Sequence, residues 1–208
     1  MGLRGSRCRT GAVAALAFVT LAVGCGRGRA GAPSGAADGP PAADTLLGRE
    51  AALDRFRGGL ERVESLTPVA THRDSLVRQF VRAVEAGNSA ALGELVLTPA
   101  EFAWLYYPWS PQGLPPYDVT ADLMWDLLSR QSDRGARRLL RIAGGRALGY
   151  ADYACPAEPQ AEGANRIWGP CTITFVSGSG DTVSARLTGP ILERDGRFKF
   201  VSLTNDLD

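Results

Sequence analysis

The sequence predicts an α+β domain in which N-terminal helices pack on a curved antiparallel sheet of about four strands. Two observations carry this expectation. Up to about residue 145 apolar residues recur at spacings of three and four, which gathers them on one helix face. Beyond Gly144-Gly145 the period changes to two, the mark of strands, with Gly178 to Asp181 and Asp195-Gly196 as hairpin turns. Helices first and an antiparallel meander afterwards give an α+β domain.

Residues 45–66 read as a helix with Leu46, Leu53, Phe56, Leu60 and Val63 in register, weakened at Gly58-Gly59 by up to ~1 kcal/mol per glycine. Residues 72–86 give the strongest helix. Leu76, Val77, Phe80, Val81 and Val84 form its apolar stripe, and Gly87-Asn88 stops it. Ser89 is placed to cap a short helix carrying Leu92, Leu95 and Val96. Thr98, Pro99 and Glu101 spell a capping box for the next one. Pro108, Pro111, Pro115 and Pro116 make the following segment irregular. One helix then starts near Thr120 with Leu123, Met124, Leu127 and Leu128, and another covers 133–142. Strands are expected at about 146–155, 170–177, 181–193 and 197–204. On the last two, Arg186 and Lys199 alternate with apolar residues and read as the solvent side.

Phe80-x-x-Ala83-x-x-x-Gly87-Asn88-x-x-Ala91-Leu92-x-x-Leu95 and the closing hairpin Ile191 to Phe200 carry a resemblance. This pattern resembles the nuclear transport factor 2-like (SnoaL-like) superfamily and covers most of residues 72–208. The resemblance implies a cone-like curved sheet around a long helix, with a cavity at the open end. Members of that group include isomerases, cyclases and dehydratases as well as non-catalytic binding domains.

The N-terminus carries a second resemblance. Arg4, Arg7 and Arg9 precede the apolar run Ala12 to Val23, and the segment closes on Leu21-Ala22-Val23-Gly24-Cys25. The run is of signal-peptide length, short of the ~20 residues that span a bilayer. The order of parts resembles a bacterial lipoprotein signal, with Ala22 standing where the usual motif has a bulkier aliphatic residue. The division is then a leader at 1–24, a Gly/Ala/Pro-rich tether at 25–45, and one domain at 46–208 with its core at 72–208. The resemblance implies lipidation of Cys25 and a membrane partner reached through that lipid. With Gly26 next to it, it implies attachment in the cell envelope at the outer membrane, facing the periplasm. An ordinary signal peptide cut nearby is the alternative. Cys8 falls in the leader.

The remaining cysteines, Cys155 and Cys171, read as a disulfide in an exported chain. His72 is the only histidine, so a metal cluster is not expected, and no phosphate loop or calcium-loop pattern occurs. No cofactor is expected. The net charge is +1, with leader arginines unbalanced by acids. No basic stripe with interleaved aromatics stands out, so nucleic acid is not an expected partner.

The densest chemical feature is the group Phe102, Trp104, Tyr106, Tyr107, Trp109 and Tyr117. Either Phe102 and Tyr106 pack in the core while the others cover a loop, or the rings form a binding surface for a protein or a small apolar ligand. Asp152, between Tyr150 and Tyr153, is the best candidate for an acid–base residue, and His72 at a helix start is a weaker one. The expected function is a membrane-tethered, non-catalytic binding domain. The alternatives are a small cone-fold enzyme using Asp152 and a tyrosine, and a purely structural envelope protein.

Overall fold

The computed structural model describes residues 48–176 and 179–207. The leader, Cys8, Cys25, the tether and Gly178 of one predicted turn lie outside the described residues. Residues 45–208 form one compact unit. Helices come first: α1 (Arg49–Arg57), α2 (Arg73–Glu85), α3 (Ser89–Glu94), α4 (Pro99–Glu101) and α5 (Ala121–Ala143). A π-helical turn at Phe102–Tyr106 continues α4, and 3-10 turns follow at Tyr107–Trp109 and Pro111–Gly113. The strands are β1 (Tyr150–Ala154), β2 (Gln160–Glu162), β3 (Asn165–Trp168), β4 (Thr172–Val176), β5 (Thr182–Ala185), β6 (Ile191–Arg194) and β7 (Arg197–Phe200). No helix among the described residues is long and apolar enough to cross a membrane.

The α+β class stands, but the expectation of about four strands in one sheet is replaced by two antiparallel sheets. One has the order β1-β4-β5 and the other β2-β3-β6-β7. The predicted strand at 181–193 is two strands, β5 and β6, because Gly189-Pro190 breaks the ladder between them. The hairpin β2–β3 lies between the strands expected at about 146–155 and 170–177, where no strand is expected from the sequence. Cys155 and Cys171 are joined by a disulfide that closes the base of this hairpin. In the chain-entropy model, closing a loop of this size stabilises by ~3 kcal/mol.

Local chemistry sets the helix ends. Helix α1 is shorter than predicted because it stops at Gly58-Gly59, where Gly59 takes φ +82°. The cap of α3 is Asn88 rather than Ser89: its side-chain oxygen accepts from the Ala91 amide at 3.0 Å. The capping box of Thr98 and Glu101 is complete. The two helices predicted near 120 and 133–142 are the single helix α5 of 23 residues, about 34 Å long at 1.5 Å per residue. Nothing between them breaks the chain, and Ser132 turns its hydroxyl to accept from the Leu203 amide at 2.8 Å.

The four-stranded sheet is buried on both faces. The row Trp168, Ile191, Phe200 faces a core built on α2, with Phe80, Leu76 and Val84. The row Ile167, Leu192, Lys199 faces the opposite way, toward a second core of Leu66, Phe102, Tyr107 and Met124. This second layer corrects the reading of Lys199 as a solvent-side residue. Lys199 is 2% exposed and its ammonium lies 2.9 Å from Glu101, itself 1% exposed. Arg186, by contrast, is exposed and pairs with Asp206. The free edge of β7 is covered by bridges from Ala70 to Phe198 and from Val96 to Phe200. Helix α5 contributes to both cores, through Ala121 and Met124 to one and Leu139 to the other. Between these anchors it crosses the chain leaving β7 at Gly135, where an added Cβ would sit 1.9 Å from the Leu203 carbonyl oxygen.

Candidate functional site

The crossing of α5 leaves a cleft on each of its flanks. The first, of about 470 Å³, lies between α5 and the segments bracketing β6 and β7. Met124, Leu127, Leu128, Val119, Pro190 and Val201 give it an apolar lining, and Gln112, Gln131, Thr188, Ser202 and Thr204 bring amides and hydroxyls to it. Arg186 and Asp206, paired with each other, complete it. The second cleft, of about 500 Å³, is lined by Trp125, Ser132, Arg137, Leu140 and Leu203. Leu128 and Val201 line both clefts.

Tyr106 brings the aromatic segment to the first cleft. The π-helical turn holds it there. The Tyr107 amide reaches back to the Phe102 carbonyl, the wider bonding of a π-turn, a feature frequent at functional sites. The Leu105 carbonyl is taken up by side chains of the four-stranded sheet: Asn165 donates at 2.8 Å and Arg194 at 3.4 Å. Asn165 also accepts from Arg194 at 3.0 Å. Tyr107 is fully buried and its hydroxyl donates to the Val119 carbonyl at 2.8 Å, which fixes the segment leading into α5.

The aromatic group is divided between core and surface. Phe102, Tyr106 and Tyr107 are core residues. Trp104 is half-buried with Arg57 stacked 3.8 Å above its ring and Arg62 at 5.4 Å. Trp109 is partly exposed and lies over the β2–β3 turn, where a Cβ on Gly163 (φ +60°) would come within 2.1 Å of its ring. Tyr117 is exposed. Asp152 is exposed on β1, because the register shifts between Tyr150 and Asp152 and both Tyr150 and Tyr153 pack toward the core. His72 is exposed at the start of α2.

The titratable groups the sequence did not single out are Glu162 and the hydroxyl of Tyr106. Glu162 is buried at the end of β2 and its Oε2 has no hydrogen-bond partner. Burial pushes its carboxyl above the ordinary carboxylate range. Burial, and then the nearby Glu162 carboxyl, push the Tyr106 hydroxyl up to about 12, against the lowering effect of its Ser110 contact. The Tyr106 hydroxyl thus stays protonated at neutral pH. The signal that points to Glu162 in the sequence is faint: a Glu-Gly-Ala-Asn turn, which marks a hairpin but not a buried acid. No group of three or more His, Cys, Asp or Glu side chains among the described residues is arranged to hold a metal ion.

No family model, no curated protein and no solved structure matches this chain.

A raised folded pKa means that the Glu162 contribution favours the fold below the unfolded carboxylate pKa. That contribution is lost as pH rises through the folded value. Glu162→Gln is therefore expected to raise stability at pH 7 by about 1 kcal/mol, the size of a buried acceptor left unsatisfied. The melting temperature should rise by about 2–4 °C, and the gain should disappear near pH 4. Melting curves across that range decide it; an equal gain at both pH values contradicts the assignment.

Proposed function

We propose that this chain is an extracytoplasmic lipoprotein, anchored through a lipidated Cys25, whose α+β domain binds a small apolar ligand without transforming it. The observation that carries the binding reading is the 470 Å³ cleft beside α5. An apolar lining with a few amides and hydroxyls is the usual composition of a small-molecule site. Asp206, the acid among the described lining residues, is held by Arg186. The order of elements supports the resemblance to nuclear transport factor 2-like domains. On that reading the two sheets together make the cone-like wall, and the cleft is its opening.

A small cone-fold enzyme is the second reading, and one observation favours it. The charge of the buried Glu162 carboxyl, which does not itself line the cleft, reaches Tyr106 on the cleft wall and helps to raise its hydroxyl. This pair then takes the place expected for Asp152 and a tyrosine.

The binding reading is tested with N-phenyl-1-naphthylamine, a neutral apolar fluorophore. One molecule should bind per chain, and Leu127→Asp, a half-exposed position of the cleft, should weaken it by about tenfold or more through the charge placed in an apolar site. No saturable binding, or binding equal in the variant, contradicts the reading. The anchor is tested by intact mass of membrane-extracted protein. The mass should match a chain beginning at Cys25 with acyl groups attached, and an unmodified Cys25 inside a longer chain contradicts it.

A further inference from the structure

We propose that the outward row of α5 docks on an anionic lipid surface, with Arg134, Arg137 and Arg141 meeting lipid phosphates and Leu123 and Leu127 entering the interface. The inference needs neither a cleft ligand nor Cys25, although Leu127 also lines the first cleft and Arg137 the second. It begins from the fusion of two expected helices into one. At 3.6 residues per turn, residues 123, 127, 130, 134, 137, 138 and 141 fall within an arc of about 100° and run for about 27 Å. The residues that the helix buries, Ala121, Met124, Gly135 and Leu139, fall outside this arc, centred about 125° round the helix from it.

Charge is concentrated on this row. The whole chain is balanced, with 23 basic and 22 acidic residues, yet residues 130–146 hold six arginines and one acid, Asp133. Arg130 is engaged by Asp126, Arg138 donates to the Leu207 carbonyl and Arg146 to that of Ile142. Arg134, Arg137 and Arg141 are exposed and, among the described residues, none of the three enters an ion pair, a ring stack or a side-chain hydrogen bond. Arginines elsewhere are commonly occupied, as Arg73 is over Trp168 at 3.6 Å and Arg78 is by Asp74 at 2.8 Å. An arginine-rich composition alone does not leave the free ones aligned on one helix face.

The same row continues into apolar residues. Leu123 and Leu127 are 51% and 46% exposed, and Leu114 and Tyr117 in the segment leading into α5 are exposed as well. A helix lying in a membrane interface uses both elements, apolar side chains at the acyl boundary and basic ones among anionic headgroups. A nucleic acid would use the arginines and leave the leucines in water. The acids at the helix start are already engaged or lie to the side: Asp122 pairs with Arg55, and Asp126 with Arg130.

The test uses the chain from residue 26 onward, without lipid. It retains the entire compact unit Thr45–Asp208 with both cores and the disulfide. Co-sedimentation is measured with vesicles of phosphatidylcholine containing about 30% phosphatidylglycerol and with phosphatidylcholine alone. Binding to the anionic vesicles, falling as salt rises and absent with neutral vesicles, is expected. Replacing Arg134, Arg137 and Arg141 together by Glu should reduce partitioning by about a hundredfold or more, at about fivefold for each charge removed. Replacing the same three by Lys should retain it. Leu123→Asp should weaken it while circular dichroism stays unchanged. The proposal is overturned by equal binding to neutral vesicles, by a triple Glu variant that binds like the parent, or by a duplex oligonucleotide that displaces the vesicles at equal phosphate concentration.

Discussion

The buried ion pair between Glu101 and Lys199 is the constraint on which the rest of this structure depends. Two charges removed from water are tolerated only when nearly every hydrogen-bonding site is used. Here the Glu101 carboxylate accepts from the Thr67 amide at 2.6 Å, from the Thr98 amide at 2.8 Å and from Lys199 at 2.9 Å. Lys199 donates in addition to the Val96 carbonyl at 3.2 Å. Burial pushes the Glu101 carboxyl upward, and these donors together outweigh it, so that the carboxyl is held below its ordinary range. Its contribution to stability is accordingly present above the unfolded carboxylate pKa and is lost as pH falls through the lowered folded value. The pair ties four stretches of chain: the segment at Thr67, Val96 just after α3, the cap of α4 and strand β7.

Everything that shapes the cleft follows from that knot. Glu101 is the last residue before the π-helical turn, so its position under β7 sets where Leu105 and Tyr106 fall. Leu105 then meets Asn165 and Arg194 on the four-stranded sheet, while Tyr106 reaches the cleft. Helix α5 lies across the chain that continues from Lys199, touching it at Gly135 and Leu203. The contact is close because Gly135 has no side chain, and the space on either flank of that contact is what remains as the two clefts. The clefts and the outward row of arginines thus belong to one helix.

Much of the local structure was legible in the chain. The stripe on α2, the turn at Gly87, the capping box at Thr98 and the Asp195-Gly196 hairpin, with φ values of +50° and +69°, are set by interactions within a few residues. The cysteine pairing was legible as well, from compartment logic. What escaped is what depends on a second layer. Period-two alternation at Lys199 says only that it faces away from Phe198 and Phe200; it cannot say that Phe102 and Leu66 cover that face. Glu101 read as half of a capping box, which it is, while its other partners lie 34 and 98 residues away in sequence. The hairpin at 160–168 was hidden by strands of only three and four residues and by the prolines that flank it, Pro156, Pro159 and Pro170. The arginine row was hidden by a helix boundary drawn where no breaker stands.

The most direct test of this account is a double-mutant cycle on Glu101 and Lys199 followed by denaturant unfolding. Lys199→Met leaves a buried carboxylate without its cation, and a loss of about 3–5 kcal/mol is predicted. Adding Glu101→Gln should return part of that loss, so that the pair is coupled by about 1–3 kcal/mol. A Lys199→Met variant within ~0.5 kcal/mol of the parent, the size of an ordinary surface substitution, would contradict the account at its centre.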